Sequence, residues 1–144
     1  MQMVILGTLS LNGAASVVAM RRKLLAVTRR LGFSTGRSTR LASAASDYAK
    51  TVVGRAALEL RLVLRREAAL QELCADFLEA SDTPGKFLDL GFDRVEKLLG
   101  GEGRGWRGCC MLSEGKAVSD ADIARCQALI AEQGVEELVE ALNA

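Results

Sequence analysis

An acidic and a hydroxyl side chain, Asp47 and Thr51, lie one helical turn apart in the stretch TRLASAASDYAKTVV. The apolar spacing predicts a helix from about 37 to 53 whose buried face is formed by Leu41, Ala45, Tyr48 and Val52. At about 100° per residue, Asp47 and Thr51 fall on a neighbouring strip that also carries Arg40 and Ala44. A ligand at the edge of the core could contact this strip. The alternative is that Asp47 is a solvated charge that pairs with Lys50.

Cysteine and histidine chemistry is restricted by the composition. The chain has no histidine, and no CxxC spacing joins its four cysteines, Cys74, Cys109, Cys110 and Cys126. This pattern disfavours a zinc site and excludes Ser-His and Cys-His nucleophile pairs, as well as a phosphoacceptor histidine. The neighbours Cys109 and Cys110 would point to opposite faces of a strand, so we interpret both as small buried apolar residues.

Length and composition are typical of one globular domain. The chain has 144 residues, of which 49% are hydrophobic and 26% charged, and a chain of this length buries roughly two thirds of its unfolded surface. Its apolar runs are too short to cross a bilayer, and its N-terminus lacks the order of basic and apolar regions found in a secretory signal. We therefore expect a cytoplasmic protein that does not contact a membrane.

Charge is divided unevenly along the chain. Residues 1–66 contain 12 basic and 2 acidic side chains, whereas residues 67–144 contain 7 and 16, although the overall net charge is +1. A basic face for nucleic acid or phosphate is one interpretation, and neutralisation of one half by the other across the fold is the second. With one Trp, one Tyr and four Phe, the chain has few aromatic rings for base stacking, which disfavours nucleic-acid binding.

The first half of the chain predicts a strand, two helices and another strand. Residues 4–11 alternate loosely, and apolar residues at steps of three and four predict a helix from about 17 to 31 that ends at Gly32. After the helix over 37–53, leucines alternate with polar residues over 58–65, which is the period of a strand.

The second half predicts a turn at Pro84 and Gly85, a helix over 90–99, a glycine-rich connection and a last strand over 106–112. Ser119 with Asp122 three residues later is typical of a capping box, which opens a C-terminal helix. A short further helix is expected after Gly134.

This order of elements, with LSLNGAASVVAMRRKLLAVTRRLGF leading into TRLASAASDYAKTVV, resembles the anti-sigma-factor serine kinase branch of the GHKL (Bergerat-fold) ATPases from about Thr8 to Leu112. The resemblance implies an α+β two-layer sandwich, with a mixed or antiparallel sheet, helices on one face and C-terminal helices in addition. Residues 67–80 have the composition of a helix, but the family has a hairpin strand there, so we predict a strand over 70–75. The domains would be a GHKL ATPase-like domain, 1–115, and a C-terminal helical extension, 116–144.

The resemblance also implies an ATP site. Asp47 would correspond to the family's catalytic Glu and Thr51 to its Mg-coordinating Asn, and a threonine hydroxyl still offers oxygen to a hard cation. The adenine-reading acid would be Asp76, with Asp82 in an alternative register. Backbone next to the phosphates would come from Gly91, the one match to the family's glycine pair, and Gly85 of the turn would also lie at the cofactor.

Several of these positions depart from the family pattern. Asp47 is one methylene shorter than Glu, Phe77 to Glu79 replace the expected Gly-x-Gly, and Asp89 would oppose a triphosphate electrostatically. We therefore expect a degenerate regulatory module that binds a protein partner, namely a sigma factor, an anti-sigma antagonist or a kinase, and the C-terminal helices would also suit a homodimer. The alternative is an active serine kinase that uses ATP and Mg²⁺.

Overall fold

Alternating leucines build the inner face of a five-stranded sheet. The computed structural model describes residues 2–67, 70–80, 84–99, 104–112 and 118–132. Its elements follow one another along the chain as β1 (Gln2–Leu11), α1 (Ala14–Arg30), α2 (Thr35–Val53), β2 (Leu58–Glu67), β3 (Leu70–Leu78), α3 (Gly85–Asp89), β4 (Arg94–Leu98), β5 (Gly105–Met111) and α4 (Asp120–Ala131). The strands lie in the order β1-β2-β3-β5-β4, and every neighbouring pair is antiparallel. The predicted α+β class is confirmed.

The helices pack on one face of this sheet. Helices α1 and α2 contact each other, α4 contacts both β1 and α1, and α3 contacts α2. One buried apolar cluster joins the inner face of the sheet to these helices, including Leu24 of α1, Leu41 of α2, Leu62 of β2 and Cys126 of α4. The described residues are therefore compatible with a two-layer sandwich. Because α4 contributes to the same core, the start of the predicted C-terminal extension packs directly on the sheet layer.

Local signals explain where the helices begin and end. The Ser34 hydroxyl accepts a hydrogen bond from the Arg37 N–H at 3.2 Å and caps α2, while Ser119 and Asp122 form the predicted capping box of α4. Gly32 has a φ of +91°, in the left-handed region that stops α1 as predicted. The short helix expected after Gly134 lies outside the described residues.

The strand predicted over 70–75 is confirmed and extends to Leu78. Its register explains why it overrides the local helix propensity. Leu60, Leu62 and Leu64 of β2 lie opposite Phe77, Ala75 and Leu73 of β3, so the hairpin buries both apolar sets on the helix-covered face.

The helix predicted over 90–99 is wrong. Residues Arg94–Leu98 form β4, which pairs with β5 at the edge of the sheet. The predicted helix would have buried Leu90, Val95, Leu98 and Leu99. In the structure Leu98 is buried, but Leu90 and Leu99 are exposed. The strand instead places Arg94 and Glu96 beside oppositely charged side chains of β2 and β3. Tertiary pairing thus outweighs helix propensity here.

No helix in the described part of the chain is long and apolar enough to span a bilayer.

Candidate functional site

Asp47 and Thr51 lie on the outward side of α2, and both are exposed. The Thr51 hydroxyl donates a hydrogen bond to the Tyr48 carbonyl at 2.7 Å, which orients its oxygen toward its own helix. Among the described residues no salt bridge reaches Asp47, so of the alternative interpretation the solvent exposure is observed and the pairing with Lys50 is not. Tyr48, which lies between Asp47 and Thr51 in the sequence, is buried. Its ring packs edge-on against Phe77 with ring centroids 5.0 Å apart. Burial raises the pKa of Tyr48 to about 12, against a smaller opposing effect of Arg55.

Gly91 packs against the same strip of α2. A β-carbon at this position would lie 2.5 Å from the Arg40 carbonyl oxygen and 2.6 Å from the Ala44 β-carbon. The segment therefore approaches α2 closely only because residue 91 has no side chain. Gly85 has a φ of +45° and is exposed, and a β-carbon there would meet nothing within 4 Å. The structure thus brings Gly91 beside the strip that carries Asp47 and Thr51, one turn away from Asp47.

Asp76 lies on the opposite side of the sheet. Its neighbours Ala75 and Phe77 face the helices, so the alternation of β3 turns the Asp76 carboxylate to the other face. There it is fully buried. Asp82, the alternative residue for the same role, lies outside the described residues.

The Asp76 carboxylate accepts hydrogen bonds from two arginines. Arg107 donates from Nε to Oδ1 at 2.6 Å and from an η nitrogen to Oδ2 at 3.0 Å. Arg61 donates from Nε and an η nitrogen to Oδ2 at 3.1 and 2.9 Å. Oδ2 thus accepts three bonds and Oδ1 one, and because Asp76 is completely buried, the carboxylate is not accessible to a purine amino group.

The sheet face away from the helices, called the open face below, carries a connected charge network. Its members are four arginines and three carboxylates: Arg61, Arg65, Arg94, Arg107, Glu72, Asp76 and Glu96. Arg65 bridges Glu72 at 2.8 Å and Glu96 at 3.1 Å, and Arg94 also contacts both acids. Burial by itself would raise the pKa of Glu96, but hydrogen bonding and charge from Arg65 and then Arg94 leave this pKa below its ordinary value.

Three of the seven ion pairs described in this network join the basic and the acidic halves of the chain, and the other four lie within the acidic half. Arg61 and Arg65 belong to the basic half and bind Asp76, Glu72 and Glu96 of the acidic half. Arg30 with Asp122 and Arg37 with Asp93 make the same connection outside the sheet face. These contacts favour neutralisation across the fold over a separate basic face.

A pair of thiols lies at the centre of the open face. Cys74 and Cys109 are register partners on β3 and β5, are completely buried, and form a small cluster with Val63. Interaction between the two thiols lowers the pKa of Cys109, against desolvation, and together with burial it raises the pKa of Cys74. Cys110 faces the helices, as predicted for a neighbour on the same strand, and burial raises its pKa to about 11.

Two cavities border the features described above. One of about 200 Å³ lies between the start of α2 and the α3–β4 connection and is lined by Arg37, Arg40, Asp89, Gly91, Phe92 and Asp93, among others. The other, of about 250 Å³, lies over one end of the open face and includes Arg65, Leu70, Glu72, Arg94 and Met111. Both volumes are below the roughly 300–1,000 Å³ typical of sites for drug-sized molecules.

The sequence analysis did not predict the charge network or the paired thiols, although the sequence contains a pattern that indicates part of the network. The pairs Arg61 with Asp76 and Arg65 with Glu72 are symmetric about the hairpin turn, so matching opposite charges would have given both the register and the polar face. No comparable sequence pattern predicts the contact between Cys74 and Cys109, because that contact depends on the register in which β5 pairs with β3.

Comparison of the chain with protein-family models and with curated proteins gives no match.

Proposed function

We propose that this chain is a regulatory module with a GHKL-type sandwich that binds a protein partner and does not turn over ATP. The partner would be a sigma factor, an anti-sigma antagonist or a kinase of a bacterial partner-switching or two-component type pathway. Two features support a GHKL-type arrangement: the succession of strand, two helices and hairpin before a terminal hairpin, and the packing of Gly91 on the strip of α2 that carries Asp47 and Thr51.

The loss of turnover rests on the position of Asp76. A nucleotide held by Asp47 and Thr51 would lie on the helix-covered side, whereas the Asp76 carboxylate lies on the open face and is bound by Arg61 and Arg107. One nucleotide therefore cannot contact all three residues. The cavity beside Gly91 is also small, and Asp89 and Asp93 offset the charge of Arg37 and Arg40 there.

Exposed apolar side chains at one end of the open face support a protein partner binding there. Met3, Ile5, Leu70 and Met111 are exposed by 37%, 57%, 59% and 41%. The register aligns Met3, Arg65, Glu72 and Met111 across four strands, so exposed apolar side chains flank part of the charge network. Apolar anchors next to charged groups suit specific recognition of another protein.

The nucleotide part of the proposal is tested by thermal unfolding with Mg-ATP. A ligand at a hundred times its Kd adds about 2.7 kcal/mol to the free energy of unfolding, so we expect no shift of the midpoint at millimolar Mg-ATP. A clear shift, together with phosphorylation of a partner that Asp47→Ala abolishes, would establish the serine kinase alternative instead. Asp120→Ala, which changes an exposed aspartate of α4 away from this strip, is the matched control for that variant.

The partner is tested by binding of purified sigma factors, antagonists and kinases from the source organism to the immobilised full chain. We expect one of them to bind, and Ile5→Glu to weaken that binding. Val18→Glu provides the control, because Val18 of α1 is similarly exposed at 50% but belongs to the helical layer. Equal effects of the two substitutions would reject the open face as the partner surface, and self-association would assign the partner to a second copy of the chain.

A further inference from the structure

Three potential metal ligands converge at the centre of the open face. One carboxylate oxygen of Glu72 and the Sγ atoms of Cys74 and Cys109 all lie within 4.8 Å of one another. Two sulfurs bound at about 2.3 Å to one tetrahedral ion would be about 3.8 Å apart, so these three atoms can surround a single cation after small side-chain rotations. Both cysteines are completely buried, whereas the Glu72 side chain is 13% exposed.

The sheet itself brings the three ligands together. Cys74 and Cys109 are directly opposite on antiparallel neighbours, and Glu72 precedes Cys74 by two residues, which places it on the same face. Rigid strands therefore hold the ligands, although 35 positions separate the two cysteines in the sequence. The missing CxxC spacing does not bear on a site that is assembled across strands.

Glu72 retains an oxygen for a cation. Its Oε1 accepts the two short bonds, from Arg65 at 2.8 Å and from Arg94 at 3.0 Å. Its Oε2 has only a longer contact with Arg94, at 3.4 Å. A metal ion bound through Oε2 would leave both arginine bonds to Oε1 intact, and these bonds would orient the carboxylate as outer-shell partners do in metal sites.

The surrounding charge suits an ion that carries thiolates. Exchange of two thiol protons for one divalent cation leaves the net charge of the cluster unchanged. The resulting unit of a divalent ion, two thiolates and one carboxylate has a charge of −1, and Arg65 and Arg94 lie beside it. An environment rich in arginine therefore stabilises this anionic unit, whereas it would oppose a hard cation bound by few carboxylates.

The geometry points to a binding site for a thiophilic divalent cation of the zinc class, formed by Glu72, Cys74 and Cys109. The cavity of about 250 Å³ at one end of the open face is lined by Glu72, so a water molecule in it would approach the ion from the Glu72 side. Three protein ligands with one open position are the arrangement of zinc sites that exchange a ligand. Metal binding here does not require the proposed partner-switching function, although Glu72 also lies in the row of residues from which the partner surface was argued.

Titration of the reduced full chain with Co²⁺ tests the site directly, because cobalt reports thiolate ligation by colour. We expect one ion per chain, an intense sulfur-to-cobalt absorption in the near ultraviolet, release of about two protons, and bleaching of the absorption by Zn²⁺. Reduced wild-type protein that shows no stoichiometric thiolate–cobalt absorption would overturn the proposal, and this result needs no variant. A Cys74–Cys109 disulfide in air-oxidised protein, combined with no metal binding by the reduced form, would assign the pair to redox chemistry instead.

Substitutions locate the ion. Cys74→Ala and Cys109→Ala should abolish the absorption, and Glu72→Gln should weaken binding by at least about tenfold while leaving the sulfur absorption detectable. Cys110→Ala is the matched control, since Cys110 is the adjacent cysteine of the same strand but faces the helices. Loss of the absorption in Cys110→Ala with retention in Cys109→Ala would contradict the assignment. Circular dichroism of each variant identifies a loss that is due to unfolding.

Discussion

The two faces of the sheet are built from the same strands but are stabilised by different interactions. On the helix-covered face, Leu60, Leu62 and Leu64 are fully buried against helices and against β3. On the open face, the alternating residues Arg61, Val63 and Arg65 pair with Asp76, Cys74 and Glu72. Apolar packing accepts many combinations of side chains, whereas the interactions of the open face require particular side chains to be paired. Any chemistry particular to this chain is therefore expected on the open face.

The largest expected effect concerns the buried carboxylate of the open face. Asp76→Ala removes the partner of two arginines, of which Arg107 is almost completely buried. We expect a loss of about 3–5 kcal/mol in the free energy of unfolding, because the buried Arg107 loses both of its short hydrogen bonds to the carboxylate. Urea unfolding measures it. Asp47→Ala, at an exposed acid of α2, should stay within about 0.5 kcal/mol. Similar small losses at both positions would remove the distinction between the two faces.

Cavity formation provides the corresponding test of the helix-covered face. Leu62→Ala should cost about 2–5 kcal/mol, as expected for a buried leucine in a packed core. Val63→Ala, at the adjacent buried residue of the open face, should cost nearer to about 1.6 kcal/mol for two lost carbon groups. Unfolding of both variants in urea gives the comparison. A greater loss at Val63 would mean that the open face contains the tighter packing.

Gly91 tests the contact between α2 and the segment before β4. Gly91→Ala would place a β-carbon 2.5 Å from the Arg40 carbonyl oxygen, so we expect a loss of about 1–3 kcal/mol through overpacking. Gly36→Ala is the matched control, because a β-carbon there meets nothing within 4 Å inside α2. That control should gain about 0.4–1 kcal/mol. The free energy of unfolding of both variants is measured by thermal or urea unfolding without nucleotide. A Gly91→Ala protein as stable as the wild type would contradict the close approach.

The smallest effect is the pH dependence of the exposed edge of the charge network. The pKa of Glu96 is lower in the folded chain than in the unfolded chain, so its contribution is present above the unfolded pKa of about 4.3 and is lost as the pH falls through the folded value. Because Glu96 is more than one third exposed, we expect only about 0–1 kcal/mol. Glu96→Gln should remove this part of the acid sensitivity, measured by urea unfolding between neutral pH and about pH 3. An identical pH profile for the variant would show that Glu96 contributes nothing.

Periodicity and end signals were sufficient for most elements. The spacing of Val17 to Leu31 and of Leu41 to Val52 predicted α1 and α2, and the alternating leucines predicted β2. These patterns identify the elements because each element has one apolar face. Apolar residues recur along that face with a period that is fixed for a helix and for a strand, whatever the fold. By contrast, the α3–β4 region was predicted incorrectly, because the pairing of β4 with β5 and with the charges of the open face involves residues far away in the sequence.

The amino-acid sequence alone determined the α+β class, the polar and apolar sides of the β2 strand, and the strip of α2 that holds Asp47 and Thr51. Only the tertiary structure decided which face of the sheet each β3 side chain occupies, and hence that Asp76 is bound by Arg61 and Arg107 instead of lying beside α2. It also decided that Cys74 meets Cys109. The physical reason is that propensity and period act within a few residues, whereas ion pairs and ligand sets depend on strand register and order, which are set by the packing of the whole sheet.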